Sequence, residues 1–292
     1  MTKIISFYVS ALTLVVGFCT QAYAAVPADL STYYPTVLRQ ALEHPLSNQE
    51  MKKILFNVLN MAHVKSPQGP DELQTDCSKN TSVCYQQRAL SYKEARIKMF
   101  GELHLIQRGG NHYAIRDVYC ARDLEDTAFP RGQGPAPGRI PSVQVLNTEH
   151  TWPQSKFSRN FPKGLQKGDL HILYPVQSNV NSIRSNDPFG NVGTPTQTPC
   201  PEAKRGYSGQ SGHAIFEPAD EHKGNVARAM FYFSVRYKMP IDAEQEAVLR
   251  QWDRLDPVDA FERARNERIF EIQGNRNPFI DDAELSSLIS DF

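Results

Sequence analysis

Four cysteines, Cys77, Cys84, Cys120 and Cys200, restrict this chain more than any other feature once its first residues are set aside. Lys3 gives a positive start, residues 4–18 are mostly apolar, and Ala22-Tyr23-Ala24 supplies a small-x-small cleavage site. Residues 1–24 are therefore expected to be a signal peptide, cut before Ala25. The apolar run is too short for a membrane anchor, and the bulky Phe18 before Cys19 disfavours lipidation. An exported chain meets an oxidising compartment, where cysteines pair. Four cysteines allow three pairings. Cys77 and Cys84 close a short loop within one polar segment, which leaves Cys120 to Cys200. No C-x-x-C pair is present, so the four do not read as a zinc site. The mature protein is expected to be soluble and monomeric, periplasmic or secreted, with no membrane partner.

The remaining residues, 25–292, read as one α+β domain with flanking helices and long loops. Hydrophobic residues make up 40% of the chain, enough for a sizeable core, and 32 basic residues balance 32 acidic ones. A wholly basic nucleic-acid coat is thereby excluded, and any such affinity must come from a local patch. Capping boxes at Ser47-Asn48-Gln49-Glu50 and Ser91-Tyr92-Lys93-Glu94 predict helices. Short runs at residues 103–106 and 112–119, split by Gly109-Gly110, predict strands, as does 143–151. The Pro- and Gly-rich residues 186–212 predict a long irregular excursion pinned by Cys200. After it the chain turns helical, with Asp242 and Gln245 opening one helix and Asp256-Pro257 another that stops before Gly274.

The chemistry sits in residues 146–190. Thr148-Glu149-His150-Thr151-Trp152-Pro153 is followed by Asp169-Leu170-His171 and then by Val180-Asn181-Ser182-Ile183-Arg184-Ser185-Asn186. Magnesium takes oxygen ligands and keeps several waters, so one or two protein oxygens suffice. Glu149 offers a carboxylate and Asn181 a neutral amide oxygen. His150 is the natural general base, since imidazole titrates near neutrality. Adjacent strand residues point to opposite faces, so Glu149 and His150 share a cleft only if the strand ends or twists there, as Pro153 allows. Pro175 is expected to open a helix carrying Asn181 and Arg184 on one flank, with Arg184 reaching a phosphate. Lys156, Arg159, Lys163 and Lys167 form a local basic run suited to backbone phosphates, opposed only by Asp169. Trp152, Phe157 and Phe161 are read as core rather than as platforms for bases.

These motifs, in this order, resemble the bacterial endonuclease I family of periplasmic and secreted nucleases. Arg265-Asn266-Glu267-Arg268-Ile269 and Gln273-Gly274-Asn275-Arg276-Asn277-Pro278-Phe279 resemble that family's closing segment, and the likeness spans roughly residues 85–280. The resemblance implies a central ββα-metal motif and cleavage of double- and single-stranded DNA, and of RNA, with little sequence preference. It implies one Mg²⁺ and 5′-phosphate products, with Glu149 and Asn181 as metal ligands and His150 as general base. An arginine between the Glu-His pair and the Asp-Leu-His motif is implied to stabilise the cleaved phosphate, and Arg159 is the one arginine there. Many members carry more disulfides than four cysteines permit, so the pairing is this chain's own.

Two other classes remain at this stage. Another exported metallo-phosphoesterase would need a deep closed pocket, whereas a nuclease needs an open basic groove. A non-catalytic nucleic-acid-binding protein would not need Glu149, His150 and Asn181 intact. Asp169 and His171 are expected to brace the site rather than to ligate. Arg265, Arg268 and Arg276 could line a DNA groove or pair with Glu267 or Glu271.

Overall fold

A computed structural model describes residues 32–44, 46–78, 82–209 and 212–292. The expected signal peptide, residues 1–24, and its cleavage site lie outside them. Helix α1 (Thr36–Glu43) is followed by α2 (Asn48–Asn60), which begins where the sequence predicts. Ser47 accepts from the Glu50 amide, and Glu50 returns the bond to Ser47. Three short strands, β1 (Ala62–Val64), β2 (Glu72–Gln74) and β3 (Cys84–Tyr85), form a sheet of order β2-β1-β3. Cys77 and Cys84 are disulfide-bonded at its edge. Ser91 and Glu94 make the second capping box and open α3 (Tyr92–Lys98).

The middle of the chain is a meander of β4 (Leu105–Gly109), β5 (His112–Asp117) and β6 (Arg122–Glu125). Gly109 and Gly110 turn the first hairpin with φ of 114° and 53°, values that favour glycine. Leu103 and His104 finish a π-helical turn after α3 instead of starting the strand. Next comes β7 (Leu146–His150), the short α4 (Lys163–Lys167), β8 (Leu173–Gln177) and α5 (Ser178–Arg184). Strands β7 and β8 pair antiparallel, with Glu149 opposite Tyr174 and His150 opposite Leu173. This ribbon and α5 are the central ββα unit. Pro175 does not open the helix as expected: it lies in β8 opposite Thr148, and α5 begins three residues later at Ser178. Val176 is consequently a buried strand residue.

The excursion at 186–212 contains two unforeseen strands, β9 (Thr194–Cys200) and β10 (Ala203–Tyr207), joined by β11 (Ile215–Glu217) in the order β11-β10-β9. Pro195 and Pro199 hid β9, which is an edge strand, where proline is tolerated. Cys200 bonds Cys120, so the second expected disulfide also forms.

Helix α6 (Lys223–Tyr237) is the axis of the core: every residue from Val226 to Tyr237 is buried, as a helix enclosed on all sides requires. Its two buried arginines are paired, Arg228 with Glu262 and Asp253, and Arg236 with Asp169. Helices α7 (Ala243–Leu255), α8 (Ala260–Gln273) and α9 (Pro278–Asp281) close the domain. Asp242 caps α7 as expected. Asp259, not Asp256, caps α8, whose end at the left-handed Gly274 was foreseen. Trp152 stacks on Phe233 of α6 at 4.6 Å, and Phe157 on the same ring at 5.7 Å. The ββα unit is thus bolted to the core by the aromatics that follow its Glu-His pair. Among the described residues, no helix is long and apolar enough to cross a membrane.

Candidate active site

Strand alternation sends the end of β7 two ways. Thr148 and His150 face α3: Arg96 Nε donates to Thr148 Oγ1 at 3.2 Å, and the Tyr92 ring lies 5.6 Å from the imidazole. Glu149 faces α5 and is 2% exposed. Arg184 Nη1 donates to Glu149 Oε1 at 2.8 Å, and the same guanidinium holds the carbonyls of His150 and Thr151 at 3.3 and 3.0 Å. Arg184 is itself buried and lies over the Phe189 ring. The reach toward phosphate expected of Arg184 is therefore not what the geometry shows, because its guanidinium is engaged with Glu149 and the backbone. Burial still raises the Glu149 carboxyl above its usual range, against the opposing pull of Arg184 and of the Tyr119 hydroxyl. That hydroxyl faces the carboxylate without reaching standard hydrogen-bond geometry.

His150 is held in one tautomer. Its Nε2 lies 3.1 Å from the Lys167 carbonyl oxygen, which can only accept, so Nε2 carries the proton. Nδ1 then keeps its lone pair, and the Gln154 side-chain amide donates to it at 3.2 Å. The ring is packed between Tyr92 and Phe157 and is 5% exposed, so it does not stand in an open trough as expected. Burial depresses it to about 4, opposed by the bond to Lys167 and helped by the charges of Lys167 and Arg184. The imidazole is accordingly neutral at physiological pH.

Asn181, half-buried on α5, donates its amide nitrogen to the Thr148 carbonyl at 3.3 Å. Its amide oxygen is the uncommitted end, next in space to the residue preceding Glu149. Among the described residues, no three His, Cys, Asp or Glu side chains gather as a metal cage. A hard cation that retains its own waters fits this donor set better than a fully ligated transition metal. Arg184 engages only Oε1 of Glu149, and the raised carboxyl shows that one guanidinium does not fully offset its burial. A divalent cation at Glu149 and Asn181 would supply the missing charge.

The basic run divides. Lys156 is exposed at the rim of a cleft that Arg184 also lines. Arg159 and Lys163 stand on the surface, and no ion pair engages either among the described residues. Lys167 orients His150 through its carbonyl, while its amine lies 4.4 Å from the Tyr92 ring centroid. Three residues absent from the sequence reading join the site: Tyr92, Arg96 and Gln154. Arg96 lies over the Tyr92 ring at 5.5 Å and has no carboxylate partner among the described residues. Helical spacing places Tyr92 and Arg96 on one face of α3, a signal that points to a site only once β7 is known to lie beneath it.

Asp169 and His171 brace, as expected. Asp169 is fully buried and accepts from Tyr232, Tyr237, Gln273 and the His171 amide. His171 Nε2 donates to the Asn275 carbonyl at 3.0 Å. The closing-segment arginines are structural. Arg265 donates to the carbonyls of Leu170 and Leu173, Arg276 pairs with Asp281 and Glu267, and Arg268 pairs with Glu102 and Glu271.

The profile of the family described as Endonuclease I matches residues 72–284. The chain belongs to the endonuclease I family. The match takes in all of the ββα unit and helices α6 to α9, and leaves α1, α2 and β1 outside it. An extracellular ribonuclease of Bacillus subtilis (strain 168) is 39% identical over 167 residues, 51% of this chain and 55% of that protein. An extracellular deoxyribonuclease of Aeromonas hydrophila is 34% identical over 116 residues, 39% of this chain and 49% of that protein. Endonuclease-1 of Buchnera aphidicola subsp. Acyrthosiphon pisum (strain APS) is 29% identical over 114 residues, 39% of this chain and 44% of that protein. The chain spans about half the length of these curated relatives.

Proposed function

We propose that this chain is an exported endonuclease that hydrolyses phosphodiester bonds of double- and single-stranded DNA and of RNA, acts as a monomer without strong sequence preference, and leaves 5′-phosphates. The observation that supports this reading is the fixed His150 tautomer, a neutral ring whose one lone pair is aimed at Gln154, at the end of the strand that also carries Glu149. Relatives named as ribonuclease and deoxyribonuclease support both polymer classes, and the extracellular and periplasmic names among them support export.

In the proposed reaction Gln154 swings off Nδ1 as substrate enters, and a water takes its place. His150 Nδ1 accepts the proton of that water as its oxygen bonds to phosphorus. The P–O3′ bond breaks and the departing O3′ takes a proton from solvent, so one product ends in a 3′-hydroxyl and the other in a 5′-phosphate. Glu149 and Asn181 would hold Mg²⁺, which when bound neutralises charge on the phosphoryl oxygens and the leaving oxygen. Arg184 keeps Glu149 oriented and opposes the upward push of burial on its carboxyl. Arg96, Lys163, Lys167 and Arg159 are the cations available to neighbouring phosphates.

The test is the purified, oxidised protein on duplex DNA, single-stranded DNA and RNA with a panel of divalent cations. Cleavage restored by Mg²⁺ after EDTA treatment is expected. His150→Ala should lose nearly all turnover while still binding DNA, and undiminished cutting by that variant would remove the base assignment.

A further inference from the structure

Arg184, which bonds Glu149, also lines a cleft of about 500 Å³. Its size falls within the range of about 300–1,000 Å³ usual for small-ligand sites. One wall is polar, with Lys156, Arg184 and Asn186, while Trp152, Met230 and Ile241 contribute apolar surface.

The charges on this cleft are unevenly matched. Two carboxylates line it, and both are committed. Asp187 pairs with Arg205 at 2.7 Å, and Asp242 accepts from the amides that begin α7. Lys156 makes no ion pair among the described residues, although it sits close enough to Arg184 to be repelled by it. Partial burial and that repulsion hold its amine below the usual range despite the opposing charge of Asp187, the situation an added anion relieves. Arg184 Nε is buried on the same wall without a partner.

We propose that this cleft is a nucleotide subsite, which takes one nucleotide of the bound strand adjacent to the scissile phosphate. Its phosphate lies at Lys156 and its base against the apolar wall, with Asn186 available to a base edge or sugar hydroxyl. The proposal rests on the nuclease reading above. Arg184 both lines the cleft and bonds Glu149, which brings the cleft's occupant near the bond being cut rather than to a remote contact. An apolar wall with few fixed hydrogen-bonding groups accepts any base, in keeping with weak sequence preference.

The test uses a probe that needs no turnover. Thymidine 5′-monophosphate is titrated into the oxidised wild-type protein, into Gln245→Trp, which fills the cleft from a half-buried position in the first turn of α7, and into Lys156→Ala. Wild type should bind in the millimolar range, Gln245→Trp at least tenfold more weakly, and Lys156→Ala should lose the preference for the nucleotide over thymidine. Ile241→Trp serves as a second block if Gln245→Trp unfolds. Equal binding by wild type and both blocked variants, or no binding by wild type, overturns the subsite. In parallel, bis(p-nitrophenyl) phosphate, which has no nucleoside, should be cleaved equally by wild type and Gln245→Trp, while a trinucleotide should show a KM about tenfold higher in the variant. Nucleotide binding without any cleavage by wild type would sink the nuclease reading and leave the subsite standing.

Discussion

Arg184 Nη1 stands 2.8 Å from Glu149 Oε1, and both side chains are almost wholly withdrawn from water. Such a pair is costly to break on one side, because the survivor is left as a buried, uncompensated charge. Arg184→Met should therefore destabilise the domain by about 3–5 kcal/mol, measured by urea unfolding, and should reduce cleavage with it. Glu149→Gln keeps an acceptor for the guanidinium but leaves its charge unmatched, so it should also cost stability, and it should abolish Mg²⁺-dependent cutting. An Arg184→Met protein as stable as wild type would mean that the guanidinium serves the substrate and not Glu149.

The buried imidazoles set the acid side of both activity and stability. His150 is depressed to about 4, so it remains neutral from about pH 5 upward. The acid limb of kcat/KM, which reports the free enzyme, should fall below pH 5.5 instead of near 6.5. Gln154 donates to Nδ1 and so favours the neutral ring, and Gln154→Ala should shift that limb upward. His171 and His222 are likewise depressed by burial, to about 4 and about 3. Unfolded histidines take up protons below about 6.5, and the folded ones resist until about 4 or lower. Their contribution to stability is thus complete above pH 6.5 and lost as pH falls toward the folded values. Urea midpoints at pH 7.5 and pH 5 check this, the lower pH being the less stable.

The parts of the fold that local chemistry dictates were legible in the sequence, and the parts that tertiary contact dictates were not. Ser47, Ser91, Asp242 and Gly274 act within one helical turn of themselves, so their patterns pointed to the right places. Pro175 looked like a helix start because the pairing that holds it in β8 is with Thr148, in a strand distant in sequence. β9 was hidden by prolines that only an edge position tolerates. The same division runs through the site. Glu149, His150 and Asn181 were visible as a motif, but their burial was not, since it depends on Arg184, Tyr119 and Phe157 arriving from other elements. Arg96 carried no motif, and it is found only because α3 lies over Thr148.

The two disulfides should differ in value. Cys77–Cys84 closes a separation of 7 residues and Cys120–Cys200 one of 80. Loop-closure entropy makes the long link worth about 4–5 kcal/mol and the short one about 2–3. Replacing Cys120 and Cys200 by serine should therefore lower the melting temperature by more than replacing Cys77 and Cys84. The reverse order would show that the short clip protects a region whose opening limits stability.

Arg96 reaches Thr148 with Nε alone, which leaves the outer nitrogens of its guanidinium for a phosphate beside His150. Arg96→Ala should raise KM for DNA about tenfold, the scale of one charge-assisted contact of about 1.5–3 kcal/mol, and flatten the salt dependence of binding. Arg96→Lys should recover the charge and part of the affinity. An unchanged salt slope in Arg96→Ala would confine this residue to supporting Thr148.

Asp117 offers a gain of stability. It is fully buried at the end of β5, where Oδ1 accepts from the Tyr119 amide at 3.1 Å and Oδ2, among the described residues, makes no hydrogen bond of standard geometry although Gln177 and Cys120 lie near the carboxylate. Burial raises its carboxyl to about 6, opposed by the backbone amides of Tyr119, Gln177 and Cys120 and by the Gln177 side chain. The folded value lies above the unfolded one, so the favourable protonated form contributes fully below about pH 4 and is lost as pH rises through 6. At neutral pH the fold carries this charge at a cost on the order of 2–3 kcal/mol, about two pKa units. Asp117→Asn keeps the acceptor for Tyr119 and removes the charge. It should raise the melting temperature at pH 7.5 and leave it nearly unchanged at pH 4. Because Tyr119 faces Glu149, the same variant also tests whether the Asp117 charge is felt at the site: Mg²⁺ titration of cleavage should shift by less than twofold if Asp117 acts on stability alone.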